Sequence, residues 1–291
     1  MLKNAFPSLA TLLTIITLAM YPSVSVAEAK FAATAIRSKP SPHLALNAAG
    51  TRRHQVRLTT APSVSLDQKK PTTRLEKILD ESGVQENQRT LVGSVLSLLG
   101  DACLEKLETF SVLYNHPKHR GLAGKGVILV SGTVPDQELV GLLLHEGLGH
   151  FRDITCLTGT SPSGVSAFRD GDAIIFNNDP SISFYKISWT NEKTRRADAQ
   201  PEDFVTGYAY QADNFEDLAE SVTYYITQER TFRTRAAGSP VLAQKLAWLE
   251  RYMPKTKNIA ESDASWDGKI AWDATKLSFR SIGLEVANVN K

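Results

Sequence analysis

The chain has 291 residues, of which 42% are hydrophobic and 22% charged, and its 33 basic side chains nearly balance 31 acidic ones. This length and apolar content are typical of one globular domain, and a net charge of +2 argues against nucleic-acid binding, which needs a concentrated basic surface. Two cysteines exclude a disulfide-dense scaffold and an all-cysteine zinc site. The charge is uneven, because residues 30–74 hold nine basic side chains and one acidic side chain.

Residues 1–29 have the pattern of an export signal. Lys3 precedes an uncharged stretch rich in Leu, Ile, Ala and Thr, which ends in small residues suited to signal peptidase. The alternative is a retained membrane anchor, since residues 4–27 carry no charge, but Pro22 and the small residues favour cleavage. We therefore expect a periplasmic or extracellular mature chain without stable membrane insertion.

Residues 30–72 are rich in Pro, Ser, Thr, Ala and basic side chains and lack apolar periodicity, so we interpret them as a basic flexible lead. His43 and His54 lie in this lead and are poor ligand candidates. Export also makes Cys103 and Cys156 a candidate disulfide, although two buried free thiols are the alternative. Closing a loop of about 50 residues would stabilise the fold by about 4 kcal/mol in the chain-entropy model.

From Thr73 to about residue 255 the apolar pattern predicts an α+β domain that is mostly helical, followed by a C-terminal extension over 256–291. The predicted helices are TRLEKILDESG, QENQRTLVGSVLSLLG, TVPDQELVGLLLHEGLGHFRDI, NFEDLAESVTYYITQERTFR and SPVLAQKLAWLERYM. Short apolar runs predict strands at 127–130 and 173–176, and CLEKLETFSVLYN is expected to pass from helix into a strand. Asp213 or Asn214 is the expected N-cap of the fourth helix.

The third predicted helix contains the sequence HEGLGH, which places two histidines beside a glutamate. Neutral imidazoles are common zinc ligands, and a glutamate next to the first can act on water at the metal. His145 and His150 are five residues apart, so a regular α-helix would offset them by about 140°. A widened turn of the π type would bring them together, and Gly147 and Gly149 make such a distortion less costly. The alternative is two unrelated helical histidines.

The fourth predicted helix begins NFEDLAE and supplies two further candidates. Glu216 and Glu220 are four residues apart and share a face, so one could bind a metal while the other accepts the free N–H of a ligand histidine. A solvated acidic helix start is the alternative for this segment alone. The two segments together favour a metal site.

These motifs resemble those of gluzincin metallopeptidases. HExxGH and ExxAE are similar to the two motifs of dipeptidyl-peptidase III, although Phe215 stands where that family has a glutamate. The wider pattern RGLAG, VILVSG, HFRD, FYKISW and DFVTGYA resembles secreted bacterial zinc-binding peptidases, which look like the catalytic domain of anthrax lethal factor. The resemblance covers roughly residues 100–250 and implies a zincin-like domain: an active-site helix, a second ligand-bearing helix and a small sheet with an edge strand.

The resemblance also implies roles for individual residues. His145, His150 and Glu216 would hold one Zn²⁺ per chain, Glu146 would act as general base, and Tyr208 would stabilise the oxyanion, with Tyr210 in reserve. The strand at 127–130 would be the edge that pairs with an extended peptide. The implied activity is that of a zinc metallopeptidase, an endopeptidase rather than an enzyme that reads free N-termini, acting on peptides or proteins.

Other candidates are weaker. Glu220 is the expected outer partner of a ligand histidine, and Asp153 is either such a partner or a rival third ligand, with the former favoured. His116 and His119 have a spacing that could bind metal, but a solvated loop is the favoured interpretation. The rival to an active peptidase is an inactive zincin-like protein that binds zinc or a partner. Nothing in the sequence indicates the oligomeric state.

Overall fold

The computed structural model describes residues 73–115, 120–253 and 266–280. Over these residues the chain is α+β and mostly helical, as predicted. The α-helices are α1 (Thr73–Glu81), α2 (Glu86–Leu96), α3 (Asp101–Leu104), α4 (Asp136–Leu143), α5 (Pro180–Ser188), α6 (Gly207–Gln211), α7 (Asn214–Thr227), α8 (Glu229–Ala236) and α9 (Pro240–Tyr252). A π-helix spans Leu144–Cys156, and short 3-10 turns lie at Ser97–Leu99, Ser161–Ser163, Pro201–Asp203 and Ala274–Lys276.

The strands form two small sheets. β1 (Thr109–Leu113), β2 (Gly121–Gly124) and β3 (Val127–Ser131) form the first in the order β1-β3-β2, and β4 (Val165–Asp170) pairs with β5 (Ala173–Phe176) in the second. The strands predicted at 127–130 and 173–176 are thus confirmed as β3 and β5.

The predicted position of β3 in its sheet was wrong. β3 is the central strand, parallel to β1 and antiparallel to β2, so the edge nearest the site is β2. The apolar run VILV indicates that β3 is buried, but burial of its faces does not specify how many strands pair with it, and the short, glycine-bounded GLAG is the edge.

All five predicted helical stretches are confirmed, with breaks that the apolar pattern does not reveal. The third stretch begins as α4 at Asp136, after Pro135, and changes to i→i+5 hydrogen bonding at Leu144. The fourth divides into α7 and α8 at Gln228. Of the two candidate N-caps of α7, Asp213 holds the position, since its carboxylate accepts the backbone N–H groups of Phe215 and Glu216.

The π-helix lies at the centre of the fold, between β2 and β3 on one side and α7 on the other. Its last turn is tied down by polar contacts as well as by packing. The backbone oxygen of Thr155 accepts from Lys106 Nζ at 3.2 Å, and its hydroxyl accepts the backbone N–H of Gly126 at 3.1 Å. Arg152 donates to the backbone oxygen of Tyr252 at 2.7 Å.

Part of the predicted C-terminal extension packs into this body. Within residues 266–280, the side chains of Ala274 and Phe279 are buried, and the backbone oxygen of Ser278 accepts from Gln228 at 2.9 Å. Gly141 on α4 leaves room for this segment, because a Cβ there would lie 2.6 Å from the backbone oxygen of Thr275.

Several predictions fall on the undescribed part of the chain. The export signal at 1–29, the lead at 30–72 with His43 and His54, and the loop with His116 and His119 all lie outside the described residues. Within the described ranges, no helix combines the length and apolar character needed to cross a membrane.

Cys103 on α3 and Cys156 at the end of the π-helix form the disulfide that the sequence favours, with Cα atoms 5.6 Å apart. The bond closes a loop across 53 residues that includes the three-stranded sheet and the whole π-helix. It therefore limits how far the π-helix can separate from α3.

Replacing both Cys103 and Cys156 with alanine should lower the free energy of unfolding by about 2–4 kcal/mol, because the unfolded chain regains the entropy that the closed loop removes. Urea denaturation of the full chain would measure the change. The matched control is wild type with its disulfide reduced, which should unfold near the midpoint of the variant. Equal midpoints for the oxidised wild type and the variant would contradict the expectation.

Candidate metal centre

The π-helix brings the two histidines of HEGLGH together. Its hydrogen bonds join residues five apart, so side chains at that spacing lie one turn from each other on the same face. The Nε2 atoms of His145 and His150 are 3.2 Å apart, with their rings edge to face. The five-residue spacing that would place these side chains on different faces of an α-helix therefore places them on the same face of the π-helix. The sequence predicted one widened turn, whereas the structure has a π-helix of 13 residues.

Glu216, in the first turn of α7, completes a group of three donor atoms. Its Oε2 lies 3.0 Å from Nε2 of His145 and 3.3 Å from Nε2 of His150. Ligand atoms at ordinary zinc distances in tetrahedral geometry are about 3.3 Å apart, so the three atoms fit three corners of such a site. Within the described ranges, this is the one group of three or more His, Cys, Asp or Glu side chains arranged to hold a metal ion.

Glu220, one turn further along α7, lies behind His145. Its Oε1 is 3.2 Å from Nδ1 of His145, and neither of these buried atoms has another hydrogen-bond partner among the described residues. The second oxygen accepts from the Thr206 hydroxyl at 2.5 Å and from the backbone N–H of Ala274 at 2.9 Å. The carboxylate is thus fixed where it can orient the His145 ring, leaving Nε2 free for a cation. Of the two glutamates, Glu216 therefore faces the centre and Glu220 supports it.

The close approach of the π-helix to α7 depends on two small residues. A Cβ added at Gly149 would lie 2.6 Å from both the Cα and the Cβ of Ala219, so the contact excludes any larger side chain at position 149. Gly149 precedes His150, and Ala219 precedes Glu220. The glycine of HExxGH and the alanine of ExxAE are therefore the surfaces through which the two motifs touch. Gly147 has no such constraint, since a Cβ there would meet Ile128 at 3.7 Å.

Glu146 is buried beside the cluster and lies against the edge strand. A Cβ at Gly121 would be 2.3 Å from Oε1 of Glu146, so the carboxylate occupies the space that a side chain on β2 would otherwise fill. Burial raises the pKa of Glu146, while the charges of His145 and His150 oppose that rise. A carboxylate with a raised pKa is better suited to accept and return a proton near neutral pH.

Tyr208, at the start of α6, lies near the cluster. Burial, together with the charge of Glu216 and a hydrogen bond to its carboxylate, raises the pKa of the phenol. The hydroxyl therefore stays protonated and can donate. Tyr210 does not share this position, because its ring packs on Phe204 and under the Arg195 guanidinium, 4.0 Å from the ring centre.

The carboxylates of the cluster favour positive charge on the groups beside them. Burial alone would lower the pKa of His145, but hydrogen bonds and charges from Glu216 and Glu220 outweigh burial and raise that pKa to about 10. Burial opposes ionisation of Glu216 as well, yet its contacts with the two histidines lower its pKa below the usual range. Two carboxylates around two imidazoles favour a positively charged occupant in this space.

The structure corrects the role expected for Asp153. Its carboxylate is buried and accepts hydrogen bonds from the hydroxyls of Ser181 and Tyr185 on α5, rather than from a histidine of the cluster. The physical reason is direction, since a residue three positions after His150 on a π-helix points to a different side. Asp153 therefore joins α5 to the π-helix.

A buried ion pair next to Glu216 escaped the sequence analysis. Lys245 on α9 donates to both oxygens of Asp217 at 2.9 and 2.8 Å, and the indole N–H of Trp189 donates to the same carboxylate at 2.9 Å. The side chains of both Asp217 and Lys245 are fully buried. These contacts fix the first turn of α7, and with it Glu216. The partners lie 28 residues away on either side, so no local pattern could have indicated them.

Comparisons with protein-family models, curated proteins and solved structures found no match to this chain. The function is therefore inferred from the side chains of the site.

Replacing Gly149 with alanine should force the π-helix and α7 apart, because the new Cβ would overlap the backbone of Ala219. We expect a loss of about 1–3 kcal/mol in unfolding free energy, together with weaker metal binding. Gly147→Ala is the matched control. It should be neutral or slightly stabilising, because alanine has a higher helix propensity than glycine. Urea denaturation and metal titration would measure both effects, and equal behaviour of the two variants would refute this account of the helix contact.

Asp153 should make the unfolding free energy depend on pH. Burial raises its pKa to about 7, so the folded state binds this proton more tightly than the unfolded chain does. Its contribution is fully present at acid pH and decreases by about 1.4 kcal/mol per pH unit as pH rises from about 4 to about 7. The difference in unfolding free energy between wild type and Asp153→Asn, measured across this range, should fall accordingly. A difference independent of pH would contradict the raised pKa.

Proposed function

We propose that the protein is an exported zinc-dependent metallopeptidase with a zincin-like catalytic domain. The observation that carries this proposal is the convergence of His145, His150 and Glu216 at tetrahedral ligand spacing, with the buried carboxylate of Glu146 beside them. Two imidazoles and a carboxylate leave one tetrahedral position open, which is the arrangement of catalytic rather than structural zinc sites.

His145, His150 and Glu216 would hold the ion, and Glu220 would keep the His145 ring in its orientation. When bound, Zn²⁺ supplies Lewis acidity, which makes water more acidic and a peptide carbonyl more electrophilic. Zinc is preferred to magnesium or calcium because two of the three donors are imidazole nitrogens, whereas those harder cations take oxygen ligands.

Glu146 would act as general base and then as general acid. Its carboxylate would take a proton from the attacking water and deliver it to the amine that leaves when the peptide bond breaks. Its raised pKa suits both steps. The Tyr208 hydroxyl would donate a hydrogen bond to the oxyanion that forms at the attacked carbonyl. Its raised pKa keeps the phenol protonated for this role.

The free edge of β2 would hold the substrate backbone. Among the described residues, β2 pairs with β3 alone, and its residue Gly121 lies against Glu146. An extended peptide added to this edge would pass next to the proposed general base. This geometry favours cleavage within peptides or proteins, and we assign the edge role to β2 in place of the 127–130 strand. The Cys103–Cys156 disulfide supports an oxidising, extracytoplasmic location.

Glu146→Gln should separate metal binding from catalysis. We expect about one zinc per chain in both wild type and variant, because Glu146 is not a ligand, and a loss of about 10²–10⁴-fold in peptide cleavage. Metal analysis and a broad peptide-library assay would measure both quantities. Glu202→Gln, which changes an exposed glutamate, is the matched control and should cleave like wild type.

Three results would count against the proposal. Cleavage that survives in Glu146→Gln would exclude that residue as the general base. Absence of zinc from wild type would exclude the whole centre. Zinc binding without cleavage of any peptide would favour the alternative, an inactive zincin-like protein that binds zinc or a partner.

A further inference from the structure

Trp272 is the most exposed tryptophan in the described part of the chain. Its side chain and backbone together are 56% exposed, whereas Trp189 and Trp248 are 1% and 6% exposed and Trp266 is partly buried. Single exposed apolar side chains are common on protein surfaces, so exposure alone indicates nothing. Trp272 differs from such residues because it lies beside Tyr208, close to the candidate metal centre.

The backbone around Trp272 is held by hydrogen bonds. The backbone oxygens of Ala271 and Trp272 accept the N–H groups of Gly207 and Tyr208 at 2.8 and 2.9 Å, which attaches this segment to the start of α6. The indole lies on Gly207, since a Cβ there would be 2.9 Å from Cε3 of the ring. Ala274 is fixed by the buried carboxylate of Glu220. The exposed ring is therefore set in place on both sides.

The indole also adjoins the tyrosine of the site. The ring centres of Trp272 and Tyr208 are 6.2 Å apart, and Thr206, the N-cap of the same helix α6, donates to Glu220 behind His145. A substrate carbonyl that received a hydrogen bond from Tyr208 would bring its neighbouring side chains close to this ring.

The other large apolar side chains exposed in the described ranges do not have this position. Leu122 is 61% exposed, but it follows Gly121 on β2, and successive side chains on a strand point to opposite faces. Because Gly121 faces Glu146, Leu122 points away from the centre. Val165 and Ile174 belong to the separate β4–β5 hairpin.

We infer that Trp272 is a specificity-determining residue, whose indole binds an aromatic or large aliphatic side chain next to the scissile bond. This inference rests on the proposed peptidase function and names its substrate class: extended peptides with such a residue at the cleavage point. Contact with the ring would remove apolar surface from water on both partners, and an aromatic substrate side chain would add edge-to-face or offset stacking.

Cleavage of matched peptides would test the inference. The peptides would differ only in the residue on one side of the scissile bond, phenylalanine or alanine, with each side tested in turn. For one side, we expect wild type to favour phenylalanine about tenfold in kcat/KM, and Trp272→Ala to reduce that ratio to about two or less. Ile174→Ala, which shortens an exposed apolar side chain on the separate β4–β5 hairpin, is the matched control and should keep the wild-type ratio. No preference in wild type, or an unchanged ratio in Trp272→Ala, would overturn the inference.

A binding measurement separates this inference from the proposed function. Zinc-loaded full-length protein would be titrated calorimetrically with N-acetyl-phenylalanine hydroxamate and N-acetyl-alanine hydroxamate, which chelate the metal and need no hydrolysis. We expect wild type to bind the phenylalanine compound about tenfold more tightly, and Trp272→Ala to bind both alike with unchanged affinity for the alanine compound.

This preference without any peptide cleavage would refute the peptidase while supporting the role of Trp272. Peptide cleavage with equal affinities for the two hydroxamates and no residue preference would support the peptidase and refute the role of Trp272. Failure of both hydroxamates to bind zinc-loaded protein would overturn both proposals.

Discussion

The five-residue spacing of His145 and His150 is the constraint on which the rest of the centre depends. It is met by changing the hydrogen-bonding pattern of the backbone from Leu144 to Cys156, rather than by bending a side chain. Long π-helices are rare because their backbone geometry is unfavourable, so tertiary contacts must stabilise this one. The contacts found along it meet that need: the sheet on one side, α7 on the other, and the disulfide at its last residue.

The same constraint explains why buried charges surround α7. A carboxylate that meets two imidazoles must come from a helix packed closely against the π-helix, and that packing buries the polar groups on the first turns of α7. A buried carboxylate is tolerated only when it is paired or hydrogen-bonded. Asp217 is neutralised by Lys245, and Glu220 is held by Thr206, Ala274 and the His145 ring. Glu216 has the two histidines, and it alone among the three faces the space where a cation would fit.

The parts of this centre that could be predicted from sequence are those encoded within one segment. The π distortion follows from the spacing inside HEGLGH, and the shared face of Glu216 and Glu220 follows from a four-residue spacing in one helix. The position of β3 was mispredicted because an apolar run does not specify how many strands pair with it. The partners of Asp153 and Asp217 lie 28 or more residues away, so their geometry emerges only from packing.

The segment at 271–274 is another distant contribution to the candidate centre, and it carries the exposed Trp272. One short stretch of backbone ties down α6, places Trp272 beside Tyr208 and donates to Glu220 through Ala274. Because Glu220 contacts the His145 ring, the backbone that places Trp272 also supports the candidate metal centre. A substitution of the exposed indole leaves these backbone hydrogen bonds in place, since they do not involve its side chain. Under the proposed function, specificity would therefore vary at this position while the residues of the candidate metal centre keep their positions.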